Sequence, residues 1–408
     1  MALDTDAAMT GCAGDLPGGR AVDDPRGPGL APSGSFPLAA YLTRWAACTH
    51  HDLAASDAQT LPLAALLRLA SPEDLQRWRT VKLGYADPRG ASWMRAAVAA
   101  RYAGLAQDDV LLSAGVQEAV ACVLRALLAP DDHAVAVVPI YQPSEMAVTG
   151  LCAASGVPLD PDRGWSLDLD RLAAAIRPKT RLVLVNFPNS PTGATLDRAS
   201  LADLIALCRR HGLWLVNDEV YRQTDVDPER AVPPVVDLYE RGISINGLSK
   251  GFGLPGLRVG WVACRDRGVL DRILDVKSLL SSCLAGPSEI LAHIAVRAEA
   301  RLTGRARAIG RRNHGRLRSL LDRHPALFEP DEPRNLAFAF PRFRGPAGAT
   351  AFARAVASDV GLLVLPSVLW RSSLAPLPED HLRLGMGRHG CGPALAILDE
   401  YLHRLGPR

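Results

Sequence analysis

Between residues 110 and 264 the chain alternates short, uninterrupted apolar runs with segments of helical period, and this alternation constrains the fold more than any other feature. Residues 134–140, 182–187, 213–217, 243–246 and 257–264 read as strands, with a further strand-like run at 110–112. Residues 117–128, 169–176 and 200–211 read as helices. Strands that are apolar throughout are buried on both faces, so the β-α-β order predicts an α/β fold with a mostly parallel sheet wrapped by helices. Sheets of this kind present their chemistry at the carboxyl ends of the strands.

The 408 residues allow two or three domains. Residues 1–36 are dense in Gly, Pro and Asp, as in Pro17-Gly18-Gly19 and Pro25-Arg26-Gly27-Pro28, and read as a flexible arm. Residues 37–88 carry helical patterns and are expected to pack with the C-terminal part. Residues 89–285 form the expected large domain, and residues 286–408 a smaller α+β domain. A long helical stretch, 270–321, leads into it. It is followed by a strand near 335–340, a helix at 349–359, strands near 362–365 and 381–386, and a last helix at 393–405.

Charge and apolar content exclude several roles. Basic and acidic residues nearly cancel, 46 against 43, and no basic run is long enough to neutralise consecutive phosphates, so no nucleic-acid partner is expected. Apolar stretches such as 361–370 fall short of the ~20 residues that cross a bilayer, so no membrane span is expected either. Asp4 and Asp6 stand where a secretory signal needs basic residues. Eight cysteines are scattered without a Cys-x-x-Cys pair or ligand-like spacing with histidine. They read as reduced, mostly buried thiols of a cytoplasmic protein, with no metal site.

Only four of the basic residues are lysines: Lys82, Lys179, Lys250 and Lys277. Lys250 has the unusual context, Asn246-Gly247-Leu248-Ser249-Lys250-Gly251-Phe252-Gly253-Leu254-Pro255-Gly256-Leu257-Arg258. Gly247 to Gly251 spells G-x-S-x-G, the elbow of a serine hydrolase with Ser249 as nucleophile, but the helix such an elbow needs is interrupted by three glycines and Pro255. Gly251 to Gly256 spells the dinucleotide fingerprint, but the next run, 257–264, is strand-like where that fingerprint needs a helix. In a third reading the Lys250 amine forms a Schiff base with a carbonyl cofactor such as pyridoxal 5′-phosphate. Ser249 and Arg258 would then bind its phosphate. Taken alone, the segment also fits a polar glycine-rich surface loop.

Other parts of the chain supply the groups that the third reading demands. Asp218 ends an apolar strand and offers a carboxylate for a pyridine nitrogen. Ser113-Ala114-Gly115-Val116-Gln117 lies between a strand and a helix, where backbone N–H groups and the helix dipole favour a phosphate. Tyr141 comes directly after another strand and can stack on a ring. Arg383, inside the apolar strand Leu382-Arg383-Leu384, suits a bidentate contact with a substrate carboxylate.

In this order and at these intervals the set resembles the fold-type I pyridoxal-phosphate enzymes, in their aspartate aminotransferase-like branch, over about residues 50–405. The resemblance implies that Lys250 is the Schiff-base lysine, Asp218 the partner of the ring nitrogen, and Tyr221 a hydroxyl to the phenolic oxygen. It implies that Arg258 clamps the phosphate, that Gly115, Val116 and Gln117 form its cradle, that Tyr141 stacks, and that Arg383 anchors the carboxylate. Tyr85 would reach the phosphate of a neighbouring subunit, which implies a homodimer with shared sites. Two positions depart from the pattern. Ser190 stands where an asparagine is expected, so Ser190 itself or Asn189 after a local shift must serve, and Gly247 replaces a phosphate-binding hydroxyl.

The approach segment 52–61 and the altered asparagine position are similar to those of capreomycidine synthases. That resemblance implies dehydration and cyclisation of a β-hydroxyarginine in the biosynthesis of streptothricin- or viomycin-type antibiotics. A ping-pong aminotransferase using a keto acid acceptor is the alternative that the same residues permit. A ligand-binding regulator would carry a DNA-binding helix pair ahead of residue 37, where the composition is unsuited to one.

Overall fold

The computed structural model describes residues 36–227, 231–330 and 332–405; apart from Phe36, the expected N-terminal arm lies outside the described residues. A seven-stranded sheet organises the chain. Along it run Val110–Ser113, Gly260–Cys264, Gly242–Gly247, Trp214–Asp218, Thr180–Val185, His133–Val138 and Ala153–Pro158. Neighbours pair in parallel except around Gly260–Cys264, which is antiparallel to both of its partners.

The continuous apolar runs have the burial they implied. In His133–Val138 the side chains of Ala134 and Val138 pack under the helices Val116–Leu127 and Arg267–Leu280. Val135 and Val137 face the opposite layer with Leu172 and Leu204, from the helices Leu169–Ala175 and Arg198–Arg210. Both faces of the sheet are therefore dry. The edge strand Ala153–Pro158 was not legible in the sequence, because Ala-Ala-Ser-Gly-Val-Pro has neither a continuous apolar run nor a clean alternation. A Cβ on Gly156 would lie 2.6 Å from Cβ of Leu374, so the missing side chain lets a later loop cover this edge.

The expected 270–321 stretch is three helices, Arg267–Leu280, Gly286–Arg297 and Glu299–Arg323. The first break contains Ser282 at φ 57° and ends at Gly286-Pro287. The middle helix packs with Leu66, Met94 and Trp261 rather than with the C-terminal core. Residues 37–88 also divide. The helix Pro37–Trp45 packs through Leu38, Tyr41 and Trp45 on Leu363, Leu365 and Trp370, and His51–Asp52 pairs in parallel with Leu362–Leu363. Leu61, Leu66, Leu67 and Trp78 instead join the middle helix against the large sheet. Ala91 holds the cap position of the helix Ser92–Ala99, and its N–H is taken by Glu289 Oε2 at 2.9 Å.

The C-terminal core joins Glu299–Arg323, Gly348–Val360 and Cys391–Leu405 to a small antiparallel ladder of Leu365–Pro366, Leu382–Gly385 and Phe338–Ala339. No helix among the described residues is long and apolar enough to cross a membrane.

The ladder strand Leu382–Gly385 runs hard against the segment after Asp52. The Gly385 N–H donates to the Leu53 carbonyl at 2.6 Å, and a Cβ on Gly385 would sit 1.9 Å from the Ala55 carbonyl oxygen. Gly385→Ala should therefore cost about 1–3 kcal/mol by overpacking. Thermal unfolding checks this, and an unchanged midpoint would mean that the segment can retreat freely.

Candidate active site

A cavity of about 460 Å³ opens at the carboxyl ends of the parallel strands, and most of the residues singled out by sequence converge there. Val116, Gln117, Tyr141, Ser190, Asp218, Tyr221, Ser249, Lys250, Arg258 and Arg383 all line it. Gly115 sits at its edge as the N-cap of Val116–Leu127.

Lys250 lies just past the strand Gly242–Gly247. Its Nζ donates to Ser56 Oγ at 2.8 Å and lies 5.5 Å from the Tyr221 ring centroid. Asp218 ends the neighbouring strand and is buried, with Oδ1 accepting the Val220 N–H at 3.0 Å. Burial pushes its carboxyl from the ordinary 3.8 up to about 7, against the Val220 hydrogen bond and the Lys250 charge, which both favour the ionised form. Glu219 adds a smaller upward push. Its own carboxylate is directed elsewhere, accepting from Ser244 Oγ at 2.7 Å and the Val235 N–H at 3.1 Å.

Glycines build the end of the cavity at the helix terminus. Gly115 has φ 93°, and a Cβ there would come within 2.5 Å of Arg258 Nη2. Gly247 pairs with Gly260, and a Cβ on Gly260 would lie 2.8 Å from the Val116 nitrogen. At Gly247 a Cβ would meet Val116 Cγ2 and the Val259 carbonyl oxygen, each at 2.9 Å. Close approach of the helix therefore leaves no space for a hydroxyl at 247. Arg258 is held in the left-handed region at φ 52°, a conformation costly for a non-glycine residue, and donates to the carbonyl oxygens of Pro255 and Ala114. Helix N–H groups and this guanidinium together make an anion site.

Arg383 is only 5% exposed. Its Nη2 donates to the Ala54 carbonyl at 2.6 Å, and its guanidinium lies 4.7 Å from the Trp370 ring centroid, while Nε has no partner. No carboxylate pairs with it among the described residues. Arg388, also on the cavity, is by contrast matched by Asp52 at 3.1 Å and Asp57 at 2.8 Å. A buried, unmatched cation is a strong invitation to an anion.

Two expected residues lie elsewhere. Asn189 does not line the cavity: its Nδ2 donates to the Pro139 carbonyl at 2.9 Å, and its Oδ1 accepts from Thr192 Oγ1 at 2.7 Å. A local shift would break that buried pairing, so Ser190 is the side chain presented here. Tyr85 is 95% exposed and away from this chain's own cavity. Several lining residues are not among those singled out from the sequence, Ser56, Asn186 and Leu38 among them. Asn186 donates to the Asp218 carbonyl at 2.7 Å and so fixes the strand end that carries the acid. A polar residue closing an apolar strand was the clue available for it.

A family model described as aminotransferase class I and II matches residues 55–388. An arginine–pyruvate transaminase of Pseudomonas aeruginosa is 34% identical over 316 residues, covering 74% of this chain and 77% of that protein. Capreomycidine synthase of Streptomyces vinaceus is 31% identical over 332 residues, covering 78% and 81%. Among solved structures, the PLP-dependent cyclase OrfR superposes with a TM-score of 0.80 at 27% identity, over 91% of this chain and 98% of its own.

The raised Asp218 value has a consequence for stability. Its carboxyl binds a proton more tightly folded than unfolded, so the stability it contributes is complete below 3.8 and is lost as pH rises to about 7. In ligand-free protein, Asp218→Asn should flatten the fall in the urea midpoint across that window. Equal slopes in the two proteins would mean that the carboxyl is solvated.

Proposed function

The chain belongs to the class I and II aminotransferase family, whose cofactor is pyridoxal 5′-phosphate, and from that premise we propose that it dehydrates and cyclises a β-hydroxyarginine. This is the capreomycidine synthase-like reaction, here placed in antibiotic biosynthesis in the cytoplasm. One observation carries the reading: a lysine amine and an unmatched buried guanidinium share a cavity that also bears the hydroxyls of Ser56 and Ser190. The likeness to a capreomycidine synthase and to a cyclase supports it.

The residues present fit the cofactor. A glycine cradle that a Cβ would fill, a buried carboxyl and an orphaned Arg383 Nε each await a group of matching charge. Gly115, Val116, Gln117, Ser249 and Arg258 would hold the phosphate, Tyr141 would stack on the ring, and Tyr221 and Ser190 would serve its phenolic oxygen. Asp218 would face the ring nitrogen, where an opposite charge keeps the carboxyl ionised despite its burial. When bound, pyridoxal phosphate supplies the electron sink that makes the substrate Cα–H bond acidic. Arg383 would bind the substrate carboxylate and fix Cα beside Lys250, whose Nζ would take the Cα proton. With loss of the β-hydroxyl, the substrate's own guanidine adds across Cα=Cβ: its nitrogen closes the six-membered ring on Cβ, gives up a proton, and Cα regains one.

The second reading, transamination of an arginine-like substrate to a keto acid, is supported by the 34% identical transaminase. The two differ in their need for an acceptor. Purified protein given β-hydroxyarginine without any keto acid should yield a product lighter by one water. Strict dependence on pyruvate or 2-oxoglutarate would overturn the cyclase. Lys250→Ala should abolish the imine absorbance under either reading.

A second copy of this chain is part of the proposal. Leu83 and Leu279 are each 87% exposed, and their segments are tied together by buried Lys277, whose Nζ donates to the carbonyls of Pro88 and Ser282. Tyr85, two residues past Leu83 and 95% exposed, would reach the neighbour's phosphate. The pair Leu83→Glu and Leu279→Glu should convert a dimer to monomer in sedimentation and lower cofactor retention. A dimer of unchanged affinity would locate the interface elsewhere.

A further inference from the structure

Ser56 is the hydroxyl that hydrogen-bonds the Lys250 amine, and its position is fixed with unusual redundancy. Residues 53–59 lie as a strap between the stretch 385–387 and the lysine loop. On one side the Gly385 N–H donates to Leu53 at 2.6 Å, and the Gln59 N–H donates to Gly387 at 2.8 Å. On the other, the Ala58 N–H donates to the Lys250 carbonyl at 3.1 Å. Side chains are excluded along both seams. A Cβ on Gly387 would lie 2.4 Å from the Asp57 carbonyl oxygen, and one on Gly253 would lie 2.7 Å from that of Gln59. Arg388 grips the Asp57 carboxylate through Nη2 at 2.8 and 3.0 Å.

The strap also spans the site in a telling direction. Its Ala54 carbonyl accepts from Arg383, which marks the carboxylate end of a bound amino acid, and its Ala58 amide is tied to the residue that marks the amine end. Ser56 lies midway, on the cavity wall and itself only slightly exposed. Substituents of Cα and Cβ of a bound amino acid would fall in that interval. As acceptor of the amine's hydrogen, the Ser56 hydroxyl keeps its own proton to donate.

We propose that Ser56 Oγ is the acid that protonates the departing β-hydroxyl, relaying the proton that Lys250 removes from Cα; this rests on the dehydration reading. The atoms balance without a further reactant. The Cα–H bond breaks, its proton goes to Lys250 Nζ, and its electron pair forms the Cα=Cβ bond. The Cβ–O bond breaks with its pair on oxygen, which takes the Ser56 proton and leaves as water. Lys250 Nζ returns a proton to Ser56 Oγ in the same event, so the serine never carries a net charge.

The test uses the holoenzyme and two variants, Ser56→Ala and Ser56→Thr. L-Arginine has no β-leaving group, so exchange of its Cα proton in deuterated water reads Lys250 alone. Water loss from β-hydroxyarginine reads both steps. In Ser56→Ala, exchange should stay within about threefold of wild type while water loss falls about a hundredfold, the scale of general acid catalysis. Ser56→Thr should restore most of the loss. Capture of pyridoxal phosphate by cofactor-free protein, followed as imine absorbance, should be unchanged in both variants. Undiminished water loss in Ser56→Ala overturns the proposal. A parallel fall in imine capture, exchange and water loss also overturns it, by reducing Ser56 to a seat for the lysine. Both outcomes leave the dehydration reading intact. A wild-type enzyme that exchanges arginine but never dehydrates β-hydroxyarginine ends that reading, and the serine's role with it.

Discussion

The site depends on how closely one helix end can approach the sheet. Gly247 and Gly260 face each other across an antiparallel pair, and Gly115 with Val116 comes down on both. Any side chain at these positions would lift the helix and part its N–H groups from the arginine that completes the anion site. Lys250 and Arg258 are placed by the same two strands. Both residues lie in the connection of residues 248–259 that joins one glycine-bearing strand to the other.

Two electrostatically costly groups meet in this cavity. Asp218 is buried far enough to resist ionisation, and Arg383 keeps its charge without a carboxylate, supported by aromatic faces and one carbonyl. Elsewhere buried Arg95 is matched by Asp108, and many arginines sit on the surface in ordinary pairs, such as Arg209 with Glu240 and Arg323 with Asp399. Such pairs add little stability. Context, rather than residue type, therefore separates a functional arginine from a solvated one in a chain so rich in them. Proteins tolerate unmatched buried charge chiefly where a ligand will match it.

Much of this was legible because it is local along the chain. An apolar run ending in Asp218, glycines around Lys250, and an arginine inside the strand at 383 each announce an environment within a few residues. The strands with continuous apolar faces were equally plain. The features that escaped depend on contacts between distant segments. Nothing near Ser56 reveals that a lysine 194 positions away will donate to it. The cap at Ala91 is decided by Glu289, and the edge strand by a loop around Leu374. The middle helix of 270–321 joins the large sheet for a similar reason, since its apolar face finds Leu66 and Met94 rather than the C-terminal core. Asn189 and Ser190 show the same limit at one residue's resolution: composition allowed either, and the buried pairing of Asn189 with Thr192 decides between them.

The helix Pro37–Trp45 presents Leu38 and Leu42 to the cavity while its other contacts are with Leu363, Leu365 and Trp370. Trp370 also stacks beneath the Arg383 guanidinium. One indole thus braces both the greasy rim that sheds solvent and the cation that orients the guest, so dryness and alignment are not independently adjustable. A lineage drifting toward a bulkier guest would have to rebuild the two together.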